Sequence, residues 1–504
     1  MYTFDLLNKQ ADLRPEKTAL VDPNTEREFT YAQFNERASR FAEFMRSEWK
    51  IQPGERVSVL TQNGTDYFEI LYACAKIGAI LVPLNWRLAV PELKDILEDS
   101  KPRALVYDTE QTEAANAVSG GMLMLPLTPG RREAKNYEEA LASASGKIIV
   151  MPARPLDECW YLLYTAGTTG RPKGVIQTYG MVLYNHLNIA PAIDLTSQDT
   201  TLNLLPVFHT GGNNMYTNPT FIAGGTAIIP RAFDVVQTMQ LLATRVTAFF
   251  GVPAMYLFMS QNPDFEKTDF SHMRSWACGG APMPLSLLEL YAKRGIMIRQ
   301  GFGMTETGPT VFLVDGAHAV TKSGSVGKPQ PWVEVRIVDR EGMDVPAGEM
   351  GELLIKGPGV TPGYWQSPEI TRQSFEDGWL HSGDVARRDG EGYYYIVDRW
   401  KDMFISGGEN VYPAEVENVL FSHPAVAEAA VIGAADAKWG EVGRAVVVVK
   451  TSQTLTEQEI IEFCQSRLAK YKVPKSVVFV PALPRNAAGK VLKTELRKQY
   501  AGNP

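Results

Sequence analysis

The stretch Tyr164–Gly174, YTAGTTGRPKG, constrains this chain more than any other. The apolar run Cys159-Trp160-Tyr161-Leu162-Leu163 precedes it and reads as a short buried strand. Thr165, Gly167, Thr168, Thr169, Gly170 and Lys173 then follow in close succession. Glycines let the backbone approach an anion closely, while hydroxyls and amide N–H groups supply donors. Lys173 adds a point charge suited to phosphate. The string is not a Walker A loop, which needs Gly-Lys-Ser/Thr after its spacer. Here Pro172 precedes Lys173 and Gly174 follows it.

The loop starts an α/β unit. Strands are expected near Thr201–Leu205, Thr226–Ile229 and Ala248–Gly251, with helices near 235–244 and 284–294. An earlier α/β layer fills residues 1–150. There Thr30 caps a helix with Phe34, Ala38, Phe41 and Met45 on one face. Arg56–Leu60, Ala79–Val82 and Ala104–Tyr107 read as strands, Tyr67–Ile77 as an amphipathic helix, and 109–150 as loose and polar. From Gly327 to Arg399 short alternating strands (Val333–Val338, Gly351–Lys356, Tyr393–Val397) predict a small β barrel or sheet. After the charged turn Trp400-Lys401-Asp402 a distinct unit begins. It has a helix at 413–421, strands at 426–432 and 445–450, and a helix opened by the capping box Thr456-Glu457-Gln458-Glu459. Val477–Val480, Pro484 and a basic tail close it.

A chain of 504 residues exceeds one hydrophobic core, so two or more domains are expected. With 45% hydrophobic and 21% charged residues it matches a soluble globular protein. The net charge of −7 gives no basic field for nucleic acid or an anionic membrane, so an anionic ligand must be held by local donors. Cys74, Cys159, Cys278 and Cys464 lie far apart without a CxxC pair, which argues against disulfides and zinc and for a reducing compartment. The start, MYTFDLLNKQADLRPEK, lacks a signal-peptide pattern, and no apolar run is long enough to span a membrane. A cytoplasmic location is expected.

Further motifs follow the loop. In Gln300-Gly-Phe-Gly-Met-Thr-Glu306, Glu306 offers a hard oxygen ligand for Mg²⁺ and Thr305 a hydroxyl for phosphate. Taken alone, the same string also reads as a helix entry capped by Thr. Cys278-Gly-Gly-Ala-Pro-Met283 is a strand-to-helix turn that exposes backbone. Asp384 in His381-Ser-Gly-Asp384 can accept from ribose hydroxyls, although Gly-Asp is commonly a plain turn. His209 sits in Pro206-Val-Phe-His-Thr-Gly-Gly212, after a strand.

Taken in order, these motifs resemble the adenylate-forming (AMP-binding) superfamily, in its acyl- and aryl-CoA synthetase branch. The resemblance covers nearly the whole chain. It implies a large multi-layer N-terminal domain (residues 1–400), with α/β subdomains and a small β barrel, and a smaller, mobile α+β C-terminal domain (401–504). It implies ATP binding by Thr165, Gly167, Thr168, Thr169, Gly170, Lys173, Gly280, Ala281, Pro282, Gly301, Phe302, Gly303, Met304, Thr305, Asp384, Arg399 and Lys490. Lys490, Glu306, Thr305 and His209 take catalytic roles, and Glu306 is the metal ligand. The acyl pocket is expected from Tyr184, His209, Asn213, Phe250, Gly279, Met304 and Pro309. Coenzyme A would meet Arg87, Gly407, Gly408 and Trp439, and Lys401 falls at the hinge. One departure stands out: Ala166 occupies the position where the family usually has Ser, so one hydroxyl donor is missing.

The implied reaction is ATP-dependent ligation of a monocarboxylic acid, aromatic or medium- to long-chain aliphatic, to coenzyme A through an acyl-adenylate. ATP, Mg²⁺ and coenzyme A are the expected cofactor and co-substrates, and the partners are small molecules. A homodimer is left open. The residues also fit an amino-acid or aryl-acid adenylating enzyme serving a carrier protein, a luciferase-like relative, and a nucleotide sensor without catalysis.

Overall fold

The computed structural model describes residues 1–127, 136–165, 172–406, 409–436, 438–451, 453–485 and 491–502. Among these residues the strands form five sheets. The first large one has six strands in the order Lys173–Thr178, Cys159–Thr165, Ile80–Leu84, Arg56–Leu60, Ala104–Tyr107 and Leu123–Pro126. All neighbours are parallel except the first pair. Ile80–Leu84 and Ala104–Tyr107 are buried at every position, as expected for parallel strands covered on both faces.

The second has nine strands, running Lys328–Pro329, Thr310–Leu313, Ile298–Gly303, Ser275–Cys278, Ala248–Gly251, Thr200–Leu202, Thr226–Ile228, Thr18–Asp22 and Arg27–Thr30. Its central strands are parallel and its edges antiparallel. One continuous core joins the two sheets, taking Val57 and Leu81 from the first and Ala227 and Leu20 from the second.

The helix Thr65–Ile77 lies in that shared core and is buried at every residue but Asp66. This corrects the amphipathic reading: with apolar layers around it, the helix has no solvent face to keep polar. Glu69 is accommodated because Arg37 Nε donates to it at 2.8 Å and the Tyr137 hydroxyl at 3.0 Å. The described parts of 109–150 are also more ordered than expected. It holds the helix Thr112–Val118, the sheet-edge strand Leu123–Pro126 and the helix Tyr137–Ala142. Few but fully buried residues, among them Leu125, Tyr137 and Ala140, anchor these short elements.

The expected small barrel or sheet is an open antiparallel sheet. Glu334–Val338, Met350–Lys356, Trp379–Arg388 and Phe375–Glu376 follow one another, and Tyr394–Arg399 pairs on Trp379–Arg388. The C-terminal unit has its own core around Phe404, Val416, Leu420, Val431 and Val447. Its sheet orders Glu409–Val411, Phe404–Ser406, Gly440–Val449 and Val426–Asp436, with Ser476–Phe479 on Gly440–Val449. Thr456 caps Glu457–Gln465 through the expected capping box. The basic tail is a helix, Lys493–Tyr500, docked by buried Leu496 and by Lys493 paired to Glu417 at 2.8 Å.

Candidate active site

The parallel strands of the nine-stranded sheet deliver the candidate residues at their carboxyl ends, where ligands collect in open α/β sheets. Ser275–Cys278 ends at Gly279, and Ile298–Gly303 runs directly into the turn Thr305–Thr307. Neither glycine tolerates a side chain. A Cβ on Gly279 would meet the Phe250 ring at 2.8 Å, and one on Gly303 would fall 1.4 Å from the Pro309 carbonyl oxygen. Gly280 adopts a left-handed φ of +80°, and Ala281 and Pro282 beside it are exposed. Gly301 lies mid-strand, Phe302 is half-buried against Phe312, and Met304 donates its N–H to Thr307 Oγ1 at 3.0 Å.

Thr165 and Lys173 stand opposite one another in the antiparallel pair that flanks the glycine-rich loop. Ala166, Gly167, Thr168, Thr169 and Gly170 lie outside the described residues. Lys173 places its ammonium over the Tyr364 ring, 5.4 Å from the centroid. The Tyr364 hydroxyl in turn donates to Glu306 Oε1 at 2.9 Å. Backbone bonds fasten the three segments together. Trp365 N donates to Gly174 O at 2.7 Å, Ile176 N to Gly363 O at 3.2 Å, and Thr361 N to Glu306 O at 2.8 Å. Gln177 Nε2 donates to Thr305 O at 2.9 Å. The fold thus brings Lys173, Thr305 and Glu306 to one place. Tyr364 and Gln177 were missed by sequence reading; an aromatic beside Trp365 looks like core, and only the preceding Gly363 hints at a special turn.

Asp384 and Arg399 are cross-strand partners, and Arg399 Nε donates to the buried Asp384 Oδ1 at 3.0 Å. The two residues expected at the nucleotide therefore touch each other. Arg399 is followed by a tight turn in which Asp402 N donates to Arg399 O at 2.9 Å, leaving Lys401 exposed. Asp398 Oδ2 accepts from Ala414 N at 2.9 Å, at the first turn of the helix Pro413–Phe421. Arg497 Nη2 donates to Asp402 Oδ1 at 2.8 Å.

His209 follows a turn closed by its own N–H to Pro206 O at 3.0 Å. A π-helix, Gly211–Met215, comes next, and a Cβ on Gly212 would strike the Pro206 carbonyl. Asn213 is fully buried. Its Nδ2 donates to the carbonyls of Val207 and His209, and its Oδ1 accepts from the Tyr67 hydroxyl at 2.9 Å. Its amide shapes the turn that carries His209. Burial, with the Arg87 charge second, pushes the His209 imidazole down to about 4, so the ring is neutral near pH 7. Tyr184, on the helix Tyr179–Ala192, lies 5.4 Å from Trp332, ring to ring. Phe250 is buried edge-on to Tyr216, Met304 is half-buried, and Pro309 is buried.

Arg87 is exposed, with its guanidinium 4.8 Å from the Trp86 ring centre. Trp439 is 45% exposed beneath Lys438. Gly440 pairs with Ser406, so Trp439 sits beside the end of the strand Phe404–Ser406. Gly407, Gly408 and Lys490 lie outside the described residues.

The sequence profile of the family described as AMP-binding enzyme matches residues 7–365, and that of the AMP-binding enzyme C-terminal domain matches 415–490. The chain is 42% identical over 495 residues to a feruloyl-CoA synthase from Amycolatopsis sp, with 98% of each chain covered. It is 39% identical over 506 residues to the long-chain-fatty-acid–CoA ligase FadD13 of Mycobacterium tuberculosis, again covering 98% of each. Its structure is similar to that of the o-succinylbenzoate CoA synthetase MenE from Bacillus subtilis in complex with the acyl-adenylate intermediate OSB-AMP. That likeness has a TM-score of 0.90, with 33% identity and 100% of both chains covered.

Proposed function

Because the chain belongs to the AMP-binding enzyme family, we propose that it is an AMP-forming acid–thiol ligase that converts a monocarboxylic acid to its coenzyme A thioester. The observation that carries the reading is the convergence of Lys173 and Glu306 on Tyr364. A cation and a carboxylate held close together, without pairing to each other, suit a polyphosphate and its metal.

The chemistry follows from the substrate. A carboxylate is a poor electrophile because its oxygen is a bad leaving group. A carboxylate oxygen therefore attacks the α-phosphorus of ATP, the bond to pyrophosphate breaks, and an acyl-adenylate forms. The thiol sulfur of coenzyme A then attacks the acyl carbon, its proton is lost, and AMP departs. Bringing a carboxylate toward a polyphosphate makes charge neutralisation the dominant need of the first step. Lys173 and Lys490 are assigned to it, with Thr165 and Thr305 as hydroxyl donors. Mg²⁺ fits a single carboxylate because it keeps waters and phosphate oxygens as its other ligands; held by Glu306, it would supply further neutralisation. Asp384 and Arg399 are assigned to the nucleotide and neutral His209 to the mouth of the acyl pocket.

We assign residues 1–400 and 401–504 to two domains pivoting at Lys401. Separate cores on either side of that residue support this. A cytoplasmic setting is supported by four free cysteines, three of them buried. Among the described residues no helix is long and apolar enough to cross a membrane.

The acid is read as aromatic or medium- to long-chain aliphatic. Support comes from the apolar lining set Tyr184, Phe250, Met304 and Pro309, and from relatives named for ferulate and long-chain fatty acids. The test is a panel of hydroxycinnamic, fatty and dicarboxylic acids assayed for pyrophosphate release and, with coenzyme A, for thioester mass. Acid-dependent release with an aromatic or aliphatic monocarboxylate is expected. Silence with every acid overturns the ligase reading, and preference for a dicarboxylate overturns the choice of acid.

A further inference from the structure

We propose that Tyr364 is a positioning residue for the adenylation step, keeping Glu306 and Lys173 apart and each pointed at its own ligand. The inference rests on reading Glu306 as the metal ligand and Lys173 as a phosphate contact. It assigns a role to a side chain that neither the motifs nor the reaction singled out.

Two contacts on one side chain carry it. The ring face takes the Lys173 ammonium at 5.4 Å, and the hydroxyl tip donates to Glu306 Oε1 at 2.9 Å. Tyr364 is 9% exposed and backbone bonds hold its segment on both sides. Trp365 N reaches Gly174 O, one residue beyond Lys173, while Thr361 N reaches the carbonyl of Glu306 itself. The backbone that carries the ring cannot shift without disturbing the strand behind Lys173 and the turn that bears Glu306.

Among the described residues neither Lys173 nor Glu306 enters an ion pair. Opposite charges this near one another would gain by pairing directly. A direct pair would consume both the phosphate contact and the metal ligand before substrate arrived. The aromatic face gives the ammonium a favourable resting place that leaves its three donors usable. The phenol holds one carboxylate oxygen and so orients the other. The arrangement gives one side chain two separable duties, the hydroxyl for the metal ligand and the ring for the lysine.

The test uses the full chain and calorimetry of ATP binding, first in EDTA and then across a Mg²⁺ series, with acid-dependent pyrophosphate release in parallel. Tyr364→Phe keeps the ring and removes the donor. It is expected to bind ATP in EDTA like wild type but to need about tenfold more Mg²⁺ for the metal-linked gain in affinity, the scale of one hydrogen bond to a charged group. Tyr364→Leu removes both duties and is expected to lose about tenfold in ATP affinity even in EDTA, as Lys173 and Glu306 collapse together. In a Glu306→Ala background, Tyr364→Phe should change nothing further. A Mg²⁺ dependence of Tyr364→Phe equal to wild type overturns the proposal. So does a Tyr364→Phe protein that no longer folds, since the hydroxyl would then be a structural tie. If wild type itself binds ATP with no Mg²⁺ dependence, the assignment of Glu306 fails first, and the proposal with it.

Discussion

His209 shows how much of a site can rest on one desolvated ring. Its Nε2 is buried and has no hydrogen-bond partner among the described residues, and the imidazole is held neutral down to about pH 4. In the unfolded chain the same ring titrates near its ordinary value of about 6.5. Between those values the unfolded state binds a proton that the native state refuses, so stability is whole above about pH 6.5 and falls as pH drops toward 4. His209→Gln should shrink that loss. Thermal melts of both proteins from pH 7.5 to 4 check it, and parallel curves would remove His209 from the acid sensitivity. Ala166 gives a second prediction. A hydrogen bond to a charged group contributes about 1.5–3 kcal/mol at best, and neighbouring threonines already offer donors. Ala166→Ser should therefore lower the ATP KM by less than about tenfold and leave acid preference alone. A changed acid preference with ATP KM untouched would put position 166 against the acyl pocket. Lys173, Thr305 and Glu306, which the fold brings together, were legible as candidates at this scale because loops that handle phosphate need glycine, hydroxyl and lysine in sequence. Tyr364 was not, since its function arises only when residues 173, 306 and 364 meet in space.

Elements were legible where a local signal fixed them. Thr30 announces its helix as an N-cap and Thr456 by a capping box, and both caps form. Arg56–Leu60 and Ala104–Tyr107 are found where their apolar runs place them. The helix Thr65–Ile77 was misread because its burial on all sides is decided by two sheets remote in sequence. The tail helix Lys493–Tyr500 was overlooked because only Leu496 is buried and ion pairs with Glu417 and Asp402 do much of the docking. The turn at Lys401 is the element proposed as the pivot between the two units. Lys401→Pro fixes φ there and stiffens the chain. If rotation separates the two steps, one half-reaction should survive in this variant and the other fail, measured as pyrophosphate release and as thioester formation from supplied acyl-adenylate. Wild-type rates in both would move the pivot elsewhere.

At the scale of the whole molecule, the proposed two-step reading has the C-terminal unit bring Lys490 to the first step and withdraw it for the second. Lys490→Ala should lose carboxylate-dependent pyrophosphate release by about 10²-fold or more, the scale of a lost electrostatic donor. It should still convert supplied acyl-adenylate to thioester, and equal damage to both steps would deny the division of labour. The separate core around Phe404, Val416 and Leu420 follows the change in pattern after Arg399, but the contacts that set the units against each other could not be read from the sequence. One of them is the Asp398 carboxylate, which satisfies the Ala414 N–H from the far side of Lys401. Turning the C-terminal body about Lys401 strips that amide of its acceptor. A joint pivoting at Lys401 would therefore have a detent: it would rest in one notch for longer, by the roughly tenfold or greater bias that a hydrogen bond to a charged group gives. The tempo at which the protein passes from making the adenylate to using it would then be set partly by an aspartate with no assigned contact to either substrate, and Asp398→Asn would retune the rhythm without changing the chemistry.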